Sequence, residues 1–378
     1  MAAHRVAYVI GELGKGGAEY QLHELLRLLD RERFAPRVIT LAAGGYWAAP
    51  IRALGVPVEE LPRGRSGDPR RLARLRGALA RARPDVLHTI MWSGNSYGRL
   101  AVLGLGIPVV IAAERNVIRR PAWQVLLERA LDRGTDAYLV NTVAIADELE
   151  RHGGLPRAKI QVIPNGIDLG RLPPFVLDRR AGRQAAGFAP ERRLVAQVGR
   201  LTAQKDYPTF LRAAAALAPG HPDVDFLVVG AGELRAELER LAVDLGLGAR
   251  VRFLGLRDDV PAVLAGVDVL ALTSRWEGLP NVVLEAMATG AVAVATDVGG
   301  CRDVVRAGET GLLVPPDAPA AVARAVAVVL DDPARARRLA ERARARVEAE
   351  FTVEAMAART EAAYAALLAR ASEPRVGA

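Results

Sequence analysis

Two doubly wound α/β domains joined by a proline-bearing linker are the fold class this sequence predicts. Three observations carry that expectation. The 378 residues suffice for two domains of ordinary size. Short apolar runs alternate with helix-length segments along the chain. The alternation breaks once, at QVIPNGIDLGRLPP, and then restarts.

The first half opens with the apolar run Arg5–Ile10, which ends in the turn GELGKGG. From Ala18 the spacing of Leu22, Leu25, Leu26 and Leu29 is helical. Further apolar runs follow at Arg37–Leu41, Asp85–Ile90, Pro108–Ala113, Ala137–Val140 and Ile160–Ile163, with helical segments such as Pro69–Arg83 and Pro121–Arg133 between most of them. That is the rhythm of a parallel sheet covered on both faces. Pro164, Asn165, Gly166, Pro173 and Pro174 cannot continue a regular element, so the linker falls there. Beyond it, strand-like runs recur at Leu194–Val198, Phe226–Val229, Val251–Leu254, Val267–Leu272 and Val292–Ala295, and a helical tail rich in Ala and Arg begins near Ala318. The expected domains are residues 1–168 and 174–351.

Composition narrows the function. At 51% hydrophobic and 25% charged the chain is globular. No apolar run reaches the length of a membrane span. The start, MAAHRVAYVI, leads straight into a Gly-rich loop and reads as a first strand instead of a signal peptide. The one cysteine, Cys301, leaves no internal disulfide and suits a reducing cytoplasm. The formal charge of +8 comes from 51 basic residues of which three, Lys15, Lys159 and Lys205, are lysines. Such an Arg preference reflects genome composition, which weakens the basic pI as a sign of nucleic acid. Aromatics at 5% also lack the interleaving expected of a single-strand binder. No nucleic-acid partner is expected. The segment 68–83 places Leu72, Leu75 and Leu79 on one side and arginines on the other. A solvated helix packed on a sheet explains this, while the sharper reading is peripheral docking on anionic lipid at the inner face of a membrane.

Ligands of doubly wound sheets sit beyond the carboxyl ends of the strands, so the loops there hold the candidate residues. In SRWEGLPNVVLEAMATG, Glu277 and Glu285 are separated by seven residues. Gly278 and Leu279 lead into Pro280, which suits the first turn of a helix, and Gly290 suits its end. Amides near Leu279 would face an anion. Asn281 and Glu285 share one helix face, and a carboxylate can accept two hydrogen bonds from a diol. A solvated Glu pair bracketing an ordinary helix would look the same. In VAQVGRLTAQKDYPTF, Arg200 and Lys205 occupy one strand-to-helix loop, where two cations could clamp a diphosphate and stabilise a departing phosphate. Gly14, Gly16 and Gly17 of GELGKGGAEY would let backbone approach a phosphate. Glu19 and Arg235 stand where nicotinamide-binding loops need a third glycine, which disfavours such a cofactor. Asp223–Asp225 spells DVD but precedes a strand, the wrong end of a sheet for a metal site.

Taken together, GGAE, VIPNGID, GRLxxxKD, VGxGxxR, FLGxRDDV and WEGLPNVVLEAMAxGxxVxATDVGG resemble the family-4 retaining glycosyltransferases of GT-B fold, over nearly the whole chain and in the correct order. The resemblance implies two Rossmann-like domains facing each other across a cleft, the first completed by a C-terminal helix at about 352–371. It implies transfer of a sugar from a nucleotide diphosphate sugar, UDP favoured over GDP, to a hydroxyl of a glycan, lipid-linked or small-molecule acceptor. No metal or resident cofactor is expected, the nucleotide sugar being a co-substrate. Arg200 and Lys205 would grip the diphosphate, Glu277 the donor sugar and Glu285 the ribose. Gly16 and Gly17 would approach the phosphate, amides of Gly278, Leu279, Pro280 and Asn281 the sugar or its phosphate, and Gly230 and Arg257 complete the donor side. On the acceptor side stand His88, Ser93, Asn95, Glu114, Arg115 and Asn116. Many relatives carry His-x-His after the fourth strand, whereas here His88 is followed at the second position by Ile90, which cannot hydrogen-bond. That departure motivates an alternative, a nucleotide-sugar-binding protein with impaired catalysis. An epimerase or hydrolase of the same fold is the other alternative. The transferase reading expects Lys205→Ala and Glu277→Ala to abolish transfer with the fold intact.

Overall fold

The computed structural model describes residues 3–62, 68–116, 121–175 and 178–373. The chain divides into two compact units. One runs to Gly166 and resumes at Val353; the other is Ile167–Thr352.

Unit 1 alternates strand and helix: β1 (His4–Ile10), α1 (Gly17–Leu28), β2 (Phe34–Thr40), α2 (Ala48–Ala53), β3 (Val58–Glu60), α3 (Pro69–Ala82), β4 (Val86–Ile90), α4 (Met91–Ala101), β5 (Val109–Glu114), α5 (Ala122–Asp132), β6 (Ala137–Val140), α6 (Val143–Arg151) and β7 (Ile160–Val162). All seven strands are parallel, in the order β3-β2-β1-β4-β5-β6-β7. The order reverses between β1 and β4, which opens a crevice at their carboxyl ends. β4, β5 and β6 are buried along their whole length, as strands covered on both faces must be.

Unit 2 repeats the pattern with α7 (Arg180–Ala185), β8 (Arg193–Val198), α8 (Tyr207–Leu217), β9 (Val224–Val229), α9 (Arg235–Asp244), β10 (Val251–Gly255), α10 (Val260–Gly266), β11 (Val269–Leu272), α11 (Asn281–Thr289), β12 (Val292–Thr296), α12 (Cys301–Val304), β13 (Leu312–Val314), α13 (Pro319–Asp331) and α14 (Pro333–Glu350). Its sheet, again parallel, has the order β10-β9-β8-β11-β12-β13 and reverses between β8 and β11. The last helix, α15 (Val353–Ser372), belongs to unit 1. Its Tyr364 is fully buried and its hydroxyl meets His88 Nδ1 at 2.5 Å and Tyr8 at 3.1 Å. Glu361 accepts from the Asp30 amide at 2.7 Å, which ties α15 to the end of α1.

Several boundaries differ from the apolar runs. β3 and β13, three residues each, are edge strands too short to leave a periodic signal. β9 starts two residues before Phe226 and includes Asp225, whose carboxylate pairs with Arg192. Pro280 caps α11 from outside its first turn, and Gly290 ends it in the left-handed conformation at φ 95°. α3 begins at the capping Asp68 and buries Leu75 and Leu79 completely, with Leu72 partly buried beside them. Its arginines are largely engaged: Arg76 donates to the Ala101 and Leu103 carbonyls, Arg81 binds Glu59, and Arg71 lies over the Tyr97 ring.

Candidate active site

In unit 2 the loops at the reversal point carry Arg200, Lys205 and Glu277, three of the residues expected on the donor side. The loop after β8 carries Arg200 and Lys205, and the loop after β11 carries Glu277. Glu277 Oε1 accepts from Lys205 Nζ at 2.5 Å and from Ser274 Oγ at 2.6 Å. Side-chain exposure is 15% for Lys205 and 7% for Glu277, so this ion pair is largely out of water. The two loops are stitched by further bonds. Thr273 Oγ1 donates at 2.8 Å to Gln197 Oε1 or to the Asp206 carbonyl, and Gln197 Nε2 donates to the Lys205 carbonyl at 2.6 Å. The Arg275 amide binds the Gln204 carbonyl at 2.8 Å. The loop after β12 packs beneath: a Cβ on Gly299 would lie 2.0 Å from the Glu277 carbonyl oxygen. Lys205 and Glu277 are therefore held on a rigid floor. Alanine at either removes the ion-pair partner of a largely buried charge, which is expected to lower stability.

Arg200 differs from Lys205 in being exposed at the loop's rim. Gly230 has a structural duty: at φ 138°, its Cβ would sit 1.9 Å from the Gly199 carbonyl oxygen, so only glycine lets the loops after β8 and β9 touch. Arg257, in the loop after β10, is held by Asp259 through two bonds of 2.7 and 2.6 Å. Gly278, Leu279 and Pro280 are buried at the entrance of α11, and Asn281 is its first residue. Glu285 lies one turn along, partly buried, with no hydrogen bond or ion pair to its carboxyl among the described residues. Loss of water alone pushes that carboxyl up to about 7. The Cys301 thiol is raised by burial and lies in the core, which argues against a nucleophilic role.

Unit 1 brings its expected residues to the carboxyl ends of its strands but turns several of them inward. Asn95 is 2% exposed, accepting from Thr89 Oγ1 at 2.7 Å and donating to the Ala113 carbonyl at 2.9 Å, which leaves it no surface for an acceptor. His88 is a core histidine, packed against a tilted Tyr8 ring and edge-on to Tyr364, and lowered to about 3 by burial, then by Arg115, so it stays neutral. Ile90 is buried in the same core. Ser93 Oγ fills the space above Gly11, where a Cβ would be 2.4 Å away. Gly16 caps α1, but its open face is covered by the Glu19 carboxylate, 2.3 Å from where a Cβ would stand. This glycine thus accommodates Glu19, and Gly17 follows as the first helical residue. Glu114 is 6% exposed and its carboxylate accepts the Arg115 amide at 3.0 Å; Asn116 follows on the same loop. Arg115 donates to Asn165 at 2.7 Å and is lowered to about 10, chiefly by desolvation.

Sequence reasoning missed Ser274, Thr273, Gln197 and Gln21. The Gln21 amide brackets Gly166, donating to its carbonyl at 2.7 Å and accepting its N–H at 2.9 Å. Ser274 alone left a signal, a hydroxyl at a strand end three residues before Glu277. Asp223 and Asp225 each hold an arginine, Arg193 and Arg192, at the amino end of β9. Among the described residues no group of three or more His, Cys, Asp or Glu side chains could hold a metal ion. No described helix is long and apolar enough to cross a membrane.

Comparison with known proteins gives the same picture. Residues 15–171 match the family model described as Glycosyltransferase Family 4, and residues 178–346 that described as Glycosyl transferases group 1. The lipopolysaccharide core biosynthesis glycosyltransferase LpsE of Rhizobium meliloti is 36% identical over 224 residues, covering 59% of this chain and 62% of LpsE. The chain thus spans less than two thirds of that relative's length. The D-inositol 3-phosphate glycosyltransferase of Corynebacterium urealyticum is 31% identical over 325 residues, 78% of this chain and 73% of that protein. Among solved structures, Anabaena HepE in complex with UDP and glucose superposes with a TM-score of 0.85 at 22% identity, over 96% of this chain and 100% of HepE. With both sheets, the motif loops and these relatives in agreement, the chain belongs to the group 1 glycosyltransferases, of GT-B fold.

Proposed function

We propose that the chain transfers a sugar, with retention, from a UDP-sugar to a hydroxyl of a glycan, lipid-linked or small-molecule acceptor. A GDP-sugar is the second choice of donor. The observation that carries this reading is the Lys205–Glu277 pair at the reversal point of unit 2, with exposed Arg200 on the same loop as Lys205. A diphosphate arriving there takes Lys205 as its counter-ion and Arg200 as a bidentate partner. Glu277 is then released toward the donor sugar and keeps its bond from Ser274. Glu285, with its carboxyl unoccupied, suits the ribose diol. The bond from the anomeric carbon to the phosphate oxygen breaks as the acceptor oxygen bonds the same face. The acceptor's proton passes to the departing diphosphate, whose charge Arg200 and Lys205 stabilise. This chemistry needs no metal or resident cofactor.

UDP seen with HepE supports the choice of base, and the names of LpsE and of the inositol-phosphate transferase support a hydroxyl acceptor. Lipid contact would rest on Arg70 and Arg74, the exposed arginines at the start of α3. Thermal-shift and calorimetric titration with UDP, GDP and their sugar conjugates tests the donor. Arg200→Ala, at an exposed site, should weaken UDP binding roughly 10- to 100-fold, the scale of a charged hydrogen bond. Undiminished affinity would refute the clamp. Inversion at the anomeric carbon, read by NMR of the product, would refute retention. Equal sedimentation of the protein with neutral and anionic vesicles would refute the lipid contact.

A further inference from the structure

Helix α5 presents to solvent a face that no role assigned so far uses. Trp123 is 60% and Leu126 64% exposed, and Ala122 and Ala130 are exposed along the same helix. The Trp123 ring meets that of Trp92, at the start of α4, edge to face, with centroids 5.8 Å apart and planes at 78°. Trp123 and Leu126 stand one turn apart on one helix face. With Trp92 behind them they form a patch, where apolar side chains scattered singly would mean nothing.

The charge around the patch is of one sign. Helices α3, α4 and α5 contain two acidic residues between them, Glu128 and Asp132. Glu128 is buried and accepts from Arg99 at 2.6 Å, and Asp132 accepts from Lys159 at 3.1 Å. Arg129 and Arg133 are exposed, and Arg129 donates to the Gly153 carbonyl at 2.8 Å instead of to an acid. α4 packs against both α3 and α5, so the exposed Arg70 and Arg74 of α3 lie on the layer that carries the patch. On α6, the next helix along the chain, every acid has a basic partner: Asp147 has Arg151, Glu148 has His152 and Glu150 has Arg157.

An indole and a leucine flanked by arginines match the surface of an anionic bilayer. The indole sits at headgroup level, the leucine reaches the acyl boundary, and the guanidinium groups meet lipid phosphates. Two protruding side chains fall far short of the roughly 1,000 Å² that a specific protein interface buries. We propose that Trp123 and Leu126 seat α5 in the headgroup layer of an anionic membrane, with Arg129 and Arg133 against the lipid phosphates. This rests on the lipid contact proposed above and moves its anchor from the arginines of α3 to the apolar face of α5.

Flotation of the full chain with vesicles of phosphatidylcholine, alone or mixed with phosphatidylglycerol, tests the proposal. The wild type should float with the mixed vesicles and far less with the neutral ones. The double variant Trp123→Ser/Leu126→Ser should bind the mixed vesicles at least about tenfold more weakly, the scale of one buried apolar side chain. Its UDP affinity should be unchanged, which shows that the fold is intact. Trp123→Phe should still float, but brominated acyl chains should quench its fluorescence less than that of the wild type. Undiminished flotation of the double variant, or quenching that Trp123→Phe leaves as it was, would overturn the proposal. So would a dimer in sedimentation velocity that the double variant dissolves, since a second copy would then cover the face. If Arg70→Ala/Arg74→Ala abolishes flotation while the α5 variant retains it, the lipid contact stands on α3 and this inference falls. If the wild type floats with neither vesicle, both fall.

Discussion

Glu285 should give the ligand-free protein a pH-dependent stability that one substitution removes. Unfolded, its carboxyl titrates near 4.5; folded, burial without a partner raises it to about 7. Between those values the native state holds a proton that the unfolded state has lost, so stability falls as pH rises. The contribution is complete below about pH 4.5 and gone once the pH has passed through about 7. A shift of this size, at about 1.4 kcal/mol per unit, is worth about 3 kcal/mol. For a unit of this size that corresponds to a melting shift of roughly 6–12 °C. Glu285→Gln keeps the shape and cannot ionise. Calorimetric melts between pH 5 and 8 should therefore show the wild type losing stability relative to the variant. A wild type–variant difference that stays flat across this range would refute the assignment. If the ribose diol donates to this carboxylate, UDP binding near pH 6.5 should release a proton. The proton would be seen as a dependence of the binding enthalpy on the buffer.

Three further outcomes follow from the same geometry. Lys205→Met should cost about 3–5 kcal/mol because it leaves the buried Glu277 carboxylate without its counter-charge, and Glu277→Gln less because the neutral amide oxygen can still accept from Lys205 and Ser274. In urea titrations the double variant should lose less than the sum, and additivity within about 0.5 kcal/mol would show the pair to be uncoupled. Gly230→Ala drives a Cβ to within 1.9 Å of the Gly199 carbonyl oxygen at φ 138°, and should cost at least about 2 kcal/mol. A wild-type melt would mean that the two loops stand further apart than described. Gln21→Leu removes both partners of Gly166, each worth about 1–3 kcal/mol when left buried. Hydrogen exchange should accelerate at residues 165–167, and unchanged protection there would refute the bracket.

What could be read in the sequence was what periodicity and local spacing encode. Runs buried on both faces announced the central strands of each sheet, and GRLxxxKD and WEGLPNVVLE announced the two loops that meet at the reversal point. The edges were harder: β3 is VEE and β13 is LLV, too brief for any period to emerge. Strand β9 was cut short because Asp225 is polar for the sake of Arg192, which an apolar count cannot register. Side-chain destinations were also hidden. Asn95 reads as a loop amide but turns into the fold, and Gly16 reads as a phosphate glycine but lies under Glu19. The partnership of Lys205 with Glu277 spans 72 residues, and nothing local to either specifies it.

The two places where the backbone enters and leaves Ile167–Thr352 are neighbours. Ile167 pairs with Thr352, and its N–H donates to the Phe351 carbonyl at 2.9 Å. Unit 2 is in effect a cassette whose own two ends meet at one seam, Ile167 beside Thr352. A short tether across that seam would permute the segment circularly. Transplanting it whole into a different N-terminal scaffold would carry the Lys205 and Glu277 loops together as one piece while leaving its hydrophobic interior uncut.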